Sequence, residues 1–201
     1  MLSLLNNIPN IHTYPLTYVF EHIKLQHKPD TLWLEFGVAS GRTINYISRF
    51  TDNNVYGFDS FYGLPEKWFN CDVGDFSTNG ELPKVNSNVV LVKGMFSDTL
   101  PDFIKEQNKK ISFIHMDADL YSSTKYVLDT LKDYIEPGCV IVFDELVNYP
   151  GFDGDNGELR ALYEFVTENK VVGQWIGMNG FPFGMDGYVH QNVALVICSI
   201  G

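Results

Sequence analysis

Basic residues are scarce in this chain: fourteen Lys and Arg stand against twenty-five Asp and Glu, a formal charge of −11. A surface of that sign repels a phosphate backbone or an anionic bilayer unless a local basic patch intervenes, and the sequence holds no such patch. Nucleic acid and membranes are therefore not expected partners, and a small or neutral molecule is. Cysteine is scarce too. Cys71, Cys139 and Cys198 are far apart, odd in number and not spaced as metal ligands, which excludes a disulfide framework and a zinc site and makes a reducing, cytoplasmic setting the expectation. No run approaches about 18 uninterrupted apolar residues, so no segment reads as a membrane span. Residues 1–20 hold no Lys, Arg, Asp or Glu, yet Pro9, Pro15 and three asparagines interrupt them and no basic stretch precedes them. They read as an ordered lead-in, able to cover an active site or to pack against a second copy of the chain, so a homo-oligomer is among the expectations.

What is present suffices for one core. The 201 residues are 45% hydrophobic and 14% aromatic, without repeats or linker composition, and read as a single domain over 1–201. Short apolar runs alternate with helical segments, the order that builds a mostly parallel sheet covered on both faces. Strands are expected at Thr31–Phe36, Asn54–Phe58, Val89–Val92, Ile111–Met116, Cys139–Phe143, Gln174–Met178 and Asn192–Ser199. Helices are expected at Leu16–His27, Thr43–Phe50, Leu100–Gln107, Ser123–Ile135 and Gly157–Asn169, with Ser122 or Ser123 as a cap and Pro137-Gly138 as a stop. The last two strands flank a Gly- and Pro-containing stretch, as an antiparallel hairpin with a long tip would. The expected fold is thus α/β, a Rossmann-like doubly wound sheet closed by a C-terminal antiparallel hairpin. Residues 1–30 form its lead-in. Residues 61–88, rich in Gly, Pro, Asn and Asp and too long for a plain connector, read as a lid or substrate loop.

Four places carry chemistry. Leu34-Glu35-Phe36-Gly37-Val38-Ala39-Ser40-Gly41 turns the first strand into the first helix, and Gly37 and Gly41 let backbone approach a ligand closely. The second glycine of a G-x-G-x-x-G pyrophosphate loop is absent, since Ala39 stands there. Asp59 ends the second strand, where an acid takes the ribose hydroxyls of an adenosine or else caps a turn. Met95 and Phe96 follow the third strand and suit the flanks of an adenine ring, or core packing. Asp117 and Asp119 follow the fourth strand and Asp144-Glu145 the fifth. Neighbouring strands lie about 4.8 Å apart, so these carboxylates come within reach of one hard cation such as Mg²⁺. Taken singly, Asp119 also reads as a helix cap and Asp144-Glu145 as a solvated loop.

Together, Glu35–Thr43 (EFGVASGRT), Val55–Glu66 (VYGFDSFYGLPE), Gly94–Pro101 (GMFSDTLP), Asp117–Thr124 (DADLYSST) and Pro137–Glu145 (PGCVIVFDE) resemble the macrocin/mycinamicin type of sugar O-methyltransferase. The resemblance spans Leu32–Glu145, with a weaker echo in the terminal hairpin that class I methyltransferases share. It implies S-adenosylmethionine and a divalent cation, with Glu35, Gly37, Ser40, Gly41, Asp59 and Phe96 at the cofactor and Asp117, Asp144 and Glu145 at the metal. Glu145 departs from the family's second Asp by one methylene. Asp117 is then the catalytic residue, acting through the metal shell; His115 is a second candidate for proton acceptor, though it reads first as a core histidine with one satisfied nitrogen. A catechol-directed branch of metal-dependent methyltransferases has Lys where this chain has Leu120, which favours a sugar or other vicinal hydroxyl as acceptor. Three alternatives share the scaffold: a nicotinamide-dependent oxidoreductase, a metal-dependent hydrolase and a non-catalytic nucleotide-binding module.

Overall fold

A computed structural model describes residue 5 and residues 7–149, 151–179 and 191–201. Seven strands, β1 (Thr31–Phe36), β2 (Val55–Asp59), β3 (Val89–Lys93), β4 (Lys110–Met116), β5 (Ile135–Val147), β6 (Val172–Met178) and β7 (Gln191–Ser199), form one sheet in the order β3-β2-β1-β4-β5-β7-β6. The first five strands pair in parallel, and β7 enters antiparallel between β5 and β6. This is the doubly wound, mostly parallel sheet with an antiparallel end that the sequence led us to expect. The tip of the hairpin, residues 180–190, lies outside the described residues.

Alternation along the strands sorts two cores. Leu32, Leu34 and Phe36 of β1, Ile114 and Met116 of β4, and Cys139, Ile141 and Phe143 of β5 face one side. There they meet the apolar stripes of α3 (Phe96–Gln107), α4 (Tyr121–Leu131) and α5 (Gly157–Glu168), through residues such as Leu100, Leu128 and Phe165. Trp33, Phe113, Val140 and Val142 face the other side, against the short α1 (Pro15–Thr17) and α2 (Arg42–Ile47) and the aromatic ring of Phe20. The chain winds outward from β1 to β3 and then returns to start β4 on β1's other flank. A crevice therefore opens where the turns after β1 and β4 diverge, the place where open α/β sheets bind ligands.

Several expected boundaries shift: α3 begins at Phe96 rather than Leu100 and α4 ends at Leu131 rather than Ile135, and three further shifts have a visible cause. The lead-in helix does not run to His27: α1 passes into one π turn (Tyr18–His22), and Lys24 then takes a left-handed φ of 57°. Strand β5 is longer than Cys139–Phe143 because Pro137-Gly138 forms an irregularity inside the strand, with Ile135 still paired to Ile111. Helix α4 starts at Tyr121 after Leu120, with no side chain capping it, so neither Ser122 nor Ser123 is its cap. The 61–88 stretch holds only an isolated bridge between Trp68 and Cys71, but it folds back on itself through bonds such as Leu64 N–H to the Asp75 carbonyl at 3.0 Å. No described helix is long and apolar enough to cross a membrane.

Candidate active site

The turn after β1 is built on Gly37, whose φ is +89°. A Cβ there would fall 1.8 Å from the Asp117 carbonyl oxygen, so only glycine lets the turns after β1 and β4 lie together. Their backbones are tied in place: Asp117 N–H donates to the Phe36 carbonyl, and Gly37 N–H to the Phe58 carbonyl, each at 2.9 Å. Asp59 fastens the same turn from β2. Its Oδ2 accepts from Val38 N–H and Ala39 N–H, both at 2.8 Å, and its Oδ1 from Phe61 N–H at 2.6 Å. The turn-capping reading of Asp59 is thus what the geometry displays, at a position that also faces the crevice.

A cavity of about 400 Å³ opens above these turns. It is lined by Gly37, Ala39 and Arg42 from the turn after β1 and the start of α2, and by Asp59, Met95 and Phe96 from the ends of β2 and β3. Leu64, Trp68 and Phe76 of the long loop and the acids Asp117, Asp119 and Glu145 line it as well. Of the residues expected at a cofactor, Gly37, Asp59 and Phe96 reach the cavity. Ser40 is exposed beside it, and Gly41 faces Pro83 and Val85 of the long loop, where a Cβ would come within 3.1 Å. Glu35 does not line the cavity: it is fully buried on the Trp33 face of β1, with Oε1 3.1 Å from His115 Nδ1.

Pleating explains that placement and one more. Side chains alternate across a strand, so Glu35, His115 and Asp144 share a face of the sheet while Glu145 points to the opposite one. The Asp144 carboxylate is held on its side by Tyr14, whose hydroxyl donates to Oδ1 at 2.5 Å, and by the Asn192 side-chain amide. Asp144 therefore stands apart from the group of acids whose oxygens lie within 4.8 Å of one another, which is Asp117, Asp119 and Glu145. Of the three acids expected at a cation, the structure brings Asp117 and Glu145 together, with Asp119 in the third place. Asp119 was legible as half of a D-x-D pair but also fits a helix cap; its φ of 58° turns it back toward the cluster.

The cluster is electrostatically strained. Burial first, and the neighbouring Asp144 charge next, push Asp119 up to about 7 and Glu145 up to about 12. Asp117 is raised well above the usual carboxylate range by the same two causes. Glu158, fully buried at the start of α5, is raised as well, by burial and then by Asp119; its Oε1 accepts from Ala118 N–H at 3.4 Å and so supports the turn that carries the two aspartates. Nothing in its sequence context marked Glu158 as more than a helix residue. Hard oxygen donors crowded beyond what their charges tolerate suit a divalent cation. His115, which the sequence left open as a proton acceptor, lies in the core off the cavity. Burial pulls it down, but the hydrogen bond and charge of Glu35 outweigh that and push it up to about 9, while burial raises Glu35 in turn, so the two form one proton-binding pair in the core.

Residues 34–146, more than half of the chain, match the family model described as a methyltransferase domain, and the chain belongs to that family. It is a methyltransferase, which decides against the nicotinamide oxidoreductase, the hydrolase and the non-catalytic module. Among solved structures it is similar to the calicheamicin methyltransferase CalS11, at 22% identity and a TM-score of 0.59 over 84% of this chain and 72% of that one. A second structure of CalS11 describes it as a TDP-rhamnose 3'-O-methyltransferase. The O-methyltransferase NovP aligns at 19% identity and a TM-score of 0.62, over 94% and 84% of the two chains. An O-methyltransferase from Bacillus cereus, in complex with SAH, aligns at 18% identity and 0.55, over 97% and 87%. At these identities the likeness is one of fold. A search of curated protein sequences finds no significant match.

Proposed function

We propose that this methyltransferase moves a methyl group from S-adenosylmethionine to a hydroxyl oxygen of a sugar or other small polyhydroxylated acceptor, with a divalent cation such as Mg²⁺ at the acid cluster. The observation that carries this reading is the placing of Asp117, Asp119 and Glu145 on the wall of the same cavity as the Gly37 turn. The fold neighbours described as O-methyltransferases, one of them acting on a TDP-linked sugar, support it.

The residues fit both groups. The Gly37 turn offers backbone a Cβ would obstruct, and Met95 and Phe96 offer an apolar flank for an adenine ring, with Phe96 braced edge-on against Phe36 at 5.4 Å. Asp59 keeps the turn in shape. Bound, S-adenosylmethionine supplies a sulfonium-activated methyl group, and the cation supplies the positive charge that binds and acidifies adjacent hydroxyls. The chain's own work is then alignment, which contributes up to about 7–11 kcal/mol in such transfers. Asp117, Glu145 and Asp119 would hold the cation, and Asp117 would accept the hydroxyl proton. Asp144 adds negative charge from the other face of β5. Trp68, packed on Tyr149 with ring centres 5.6 Å apart, presents an aromatic surface to the acceptor, and the 61–88 loop forms that side of the site. Leu120 leaves no lysine base near the first aspartate, so a catechol-type mechanism is not part of the reading.

Titration calorimetry with S-adenosylhomocysteine, before and after exhaustive chelation, tests it. Micromolar binding of the adenosyl compound, and methyl transfer to polyhydroxylated acceptors that stops on chelation and returns with Mg²⁺, are expected. Turnover that survives metal-free repurification would remove the cation from the mechanism.

A further inference from the structure

Residues 64–75 form a small finger within the long loop. Its two sides are stitched by reciprocal backbone bonds, Leu64 N–H to the Asp75 carbonyl at 3.0 Å and Gly74 N–H to the Leu64 carbonyl at 2.9 Å, and its tip is turned by a second pair between Trp68 and Cys71. Gly63 permits the first pair, because its φ is +80° and a Cβ there would fall 2.2 Å from the Asp75 carbonyl oxygen. The root is held as well, with the Phe61 carbonyl accepting from Thr78 N–H at 3.2 Å and from Gly80 N–H at 2.8 Å. The finger is thus a unit that keeps its own shape, and it supplies Leu64, Pro65 and Trp68 to the cavity wall.

The start of α4 lines the same cavity through Ser123. Ser122, one residue before it, is exposed and does not cap the helix; its hydroxyl donates instead to Glu66 Oε1 at 2.5 Å, 56 residues away in the chain. Glu66 is exposed too and directly follows Pro65. The bond therefore joins the neighbours of two lining residues, one on the finger and one on α4, while neither partner lines the cavity itself. The tip of the finger meets the 149–151 turn through two rings, Trp68 against Tyr149 and Phe69 over Gly151, where a Cβ would fall 1.9 Å from Phe69 Cδ2. A single solvent-exposed hydrogen bond contributes little to stability and breaks readily, which suits a catch better than a permanent tie. We propose that Glu66 and Ser122 are the catch of a gate: made, their bond joins finger and α4 across the rim of the cavity; broken, it lets the finger swing away as a unit and a ligand enter or leave. Both are positioning residues, and they govern passage without taking part in the chemistry.

Trypsin reads the catch without any ligand, since Lys67 stands exposed on the finger beside Glu66 and its cleavage follows the population of the open form. The cut after Lys67, followed by mass spectrometry, is expected to run about 3–10-fold faster in Ser122→Ala than in the wild-type protein, the weight of one exposed hydrogen bond, with the melting temperature unmoved. Ser122→Thr, which keeps the hydroxyl, should return it to the wild-type rate. Equal rates in Ser122→Ala and the wild-type protein overturn the catch, and so does a faster cut that comes with a lowered melting temperature, which reports general loosening. Stopped-flow binding of S-adenosylhomocysteine reads passage, and this arm rests on the donor reading above. A catch that closes the free and the liganded cavity alike should, once removed, speed association and release by similar factors of about 3–10 and leave the dissociation constant within twofold. Unchanged rates would make the bond a mere fastening of the loop; a weaker dissociation constant with unchanged association would make it part of the binding surface; either result overturns the gate. A wild-type protein that does not bind S-adenosylhomocysteine overturns the donor reading, while the ligand-free cleavage rates decide the catch by themselves.

Discussion

The hydroxyl of Tyr14 donates to Asp144 Oδ1 at 2.5 Å, joining the segment ahead of α1 to the acid that begins the last stretch of β5. The Asn192 amide also donates to the Asp144 carbonyl at 2.8 Å, so β7 completes the clamp. This bond fixes Asp144 on the Glu35–His115 face, away from the three-acid group. Burial and the Asp144 charge together hold the Tyr14 phenol above its ordinary value, so it remains a donor through the alkaline range. Tyr14→Phe should lower the unfolding free energy by about 1–2 kcal/mol. In an Asp144→Ala background the same change should cost less, by at least ~0.5 kcal/mol of coupling in urea melts. Strictly additive losses would mean the bond is not made in solution.

Replacing an acid in a crowded cluster relieves repulsion. Asp119→Asn should therefore raise the stability of the cation-free protein, by on the order of 1–3 kcal/mol given about 1.4 kcal/mol for each unit by which its carboxyl is raised. The same variant should bind Mg²⁺ at least about tenfold more weakly, since it removes one anionic donor. Thermal melts with and without Mg²⁺ read both effects at once. A cation-free variant less stable than the wild-type protein would contradict the repulsion on which the cation site is argued.

The pH dependence follows with its sign. A carboxyl raised by folding favours the protonated form, so its contribution is fully present below the unfolded value near 4 and is lost as pH rises through the folded one. Asp119, at about 7, places that loss between pH 4 and pH 7, and Glu145, at about 12, extends it upward. Without a cation, the melting temperature should fall from pH 5 to pH 8. With Mg²⁺ in excess the decline should flatten, because the ion binds the deprotonated acids and its stabilisation grows with pH. Parallel slopes in the two conditions would show that no cation occupies the cluster.

Local pattern carried most of the fold because it depends on nearest neighbours. Thr31–Phe36 was expected and found residue for residue, since a Leu-, Trp- and Phe-rich run broken only by Glu35 and bounded by Asp30 and Gly37 leaves little choice. The site was legible only where order along the chain is enough. The strand-end positions of Asp59, Asp117 and Glu145 follow from element order, whereas the face each side chain takes follows from pleat phase. That phase sends Glu35 into the core with His115 and separates Asp144 from Glu145, although the two are consecutive. Glu158 joins the acids because α5 packs over the turn after β4, a contact no local pattern announces. Pro137-Gly138 misled in the opposite direction: a strong stop signal on its own, it is carried inside β5 by pairing with β4 on one side.

Gly37 is the residue whose loss should be most severe. Gly37→Ala meets two obstacles, a φ of +89° and a Cβ 1.8 Å from the Asp117 carbonyl, and the second is backbone that cannot swing aside. A destabilisation of roughly 3 kcal/mol or more is expected, in the range of steric clashes at special backbone positions. Because the displaced partner is Asp117, surviving folded protein should also lose cation affinity. Circular dichroism melts and Mg²⁺ titration measure the two, and a variant with wild-type values of both would remove the turn from the centre of the site.

Trp68 ties the long loop to the neighbourhood of the acids, through a Tyr149 ring close enough to feel the charges of Glu145 and Asp119. It reaches the wall from the long loop, half-buried, and its ring rests against Tyr149, which in turn meets Phe152 edge-on at 5.3 Å. These aromatics lie on the side of the acids, remote in the chain from Met95 and Phe96. Trp68→Ala should therefore act on the acceptor and spare the donor. An acceptor KM raised about 3–10-fold, the weight of a lost aromatic face of ~0.5–1.5 kcal/mol, is expected with S-adenosylhomocysteine affinity held within twofold. Loss of S-adenosylhomocysteine binding in this variant would place the adenosyl group under the long loop instead, and would reverse the orientation on which the role of Asp117 depends.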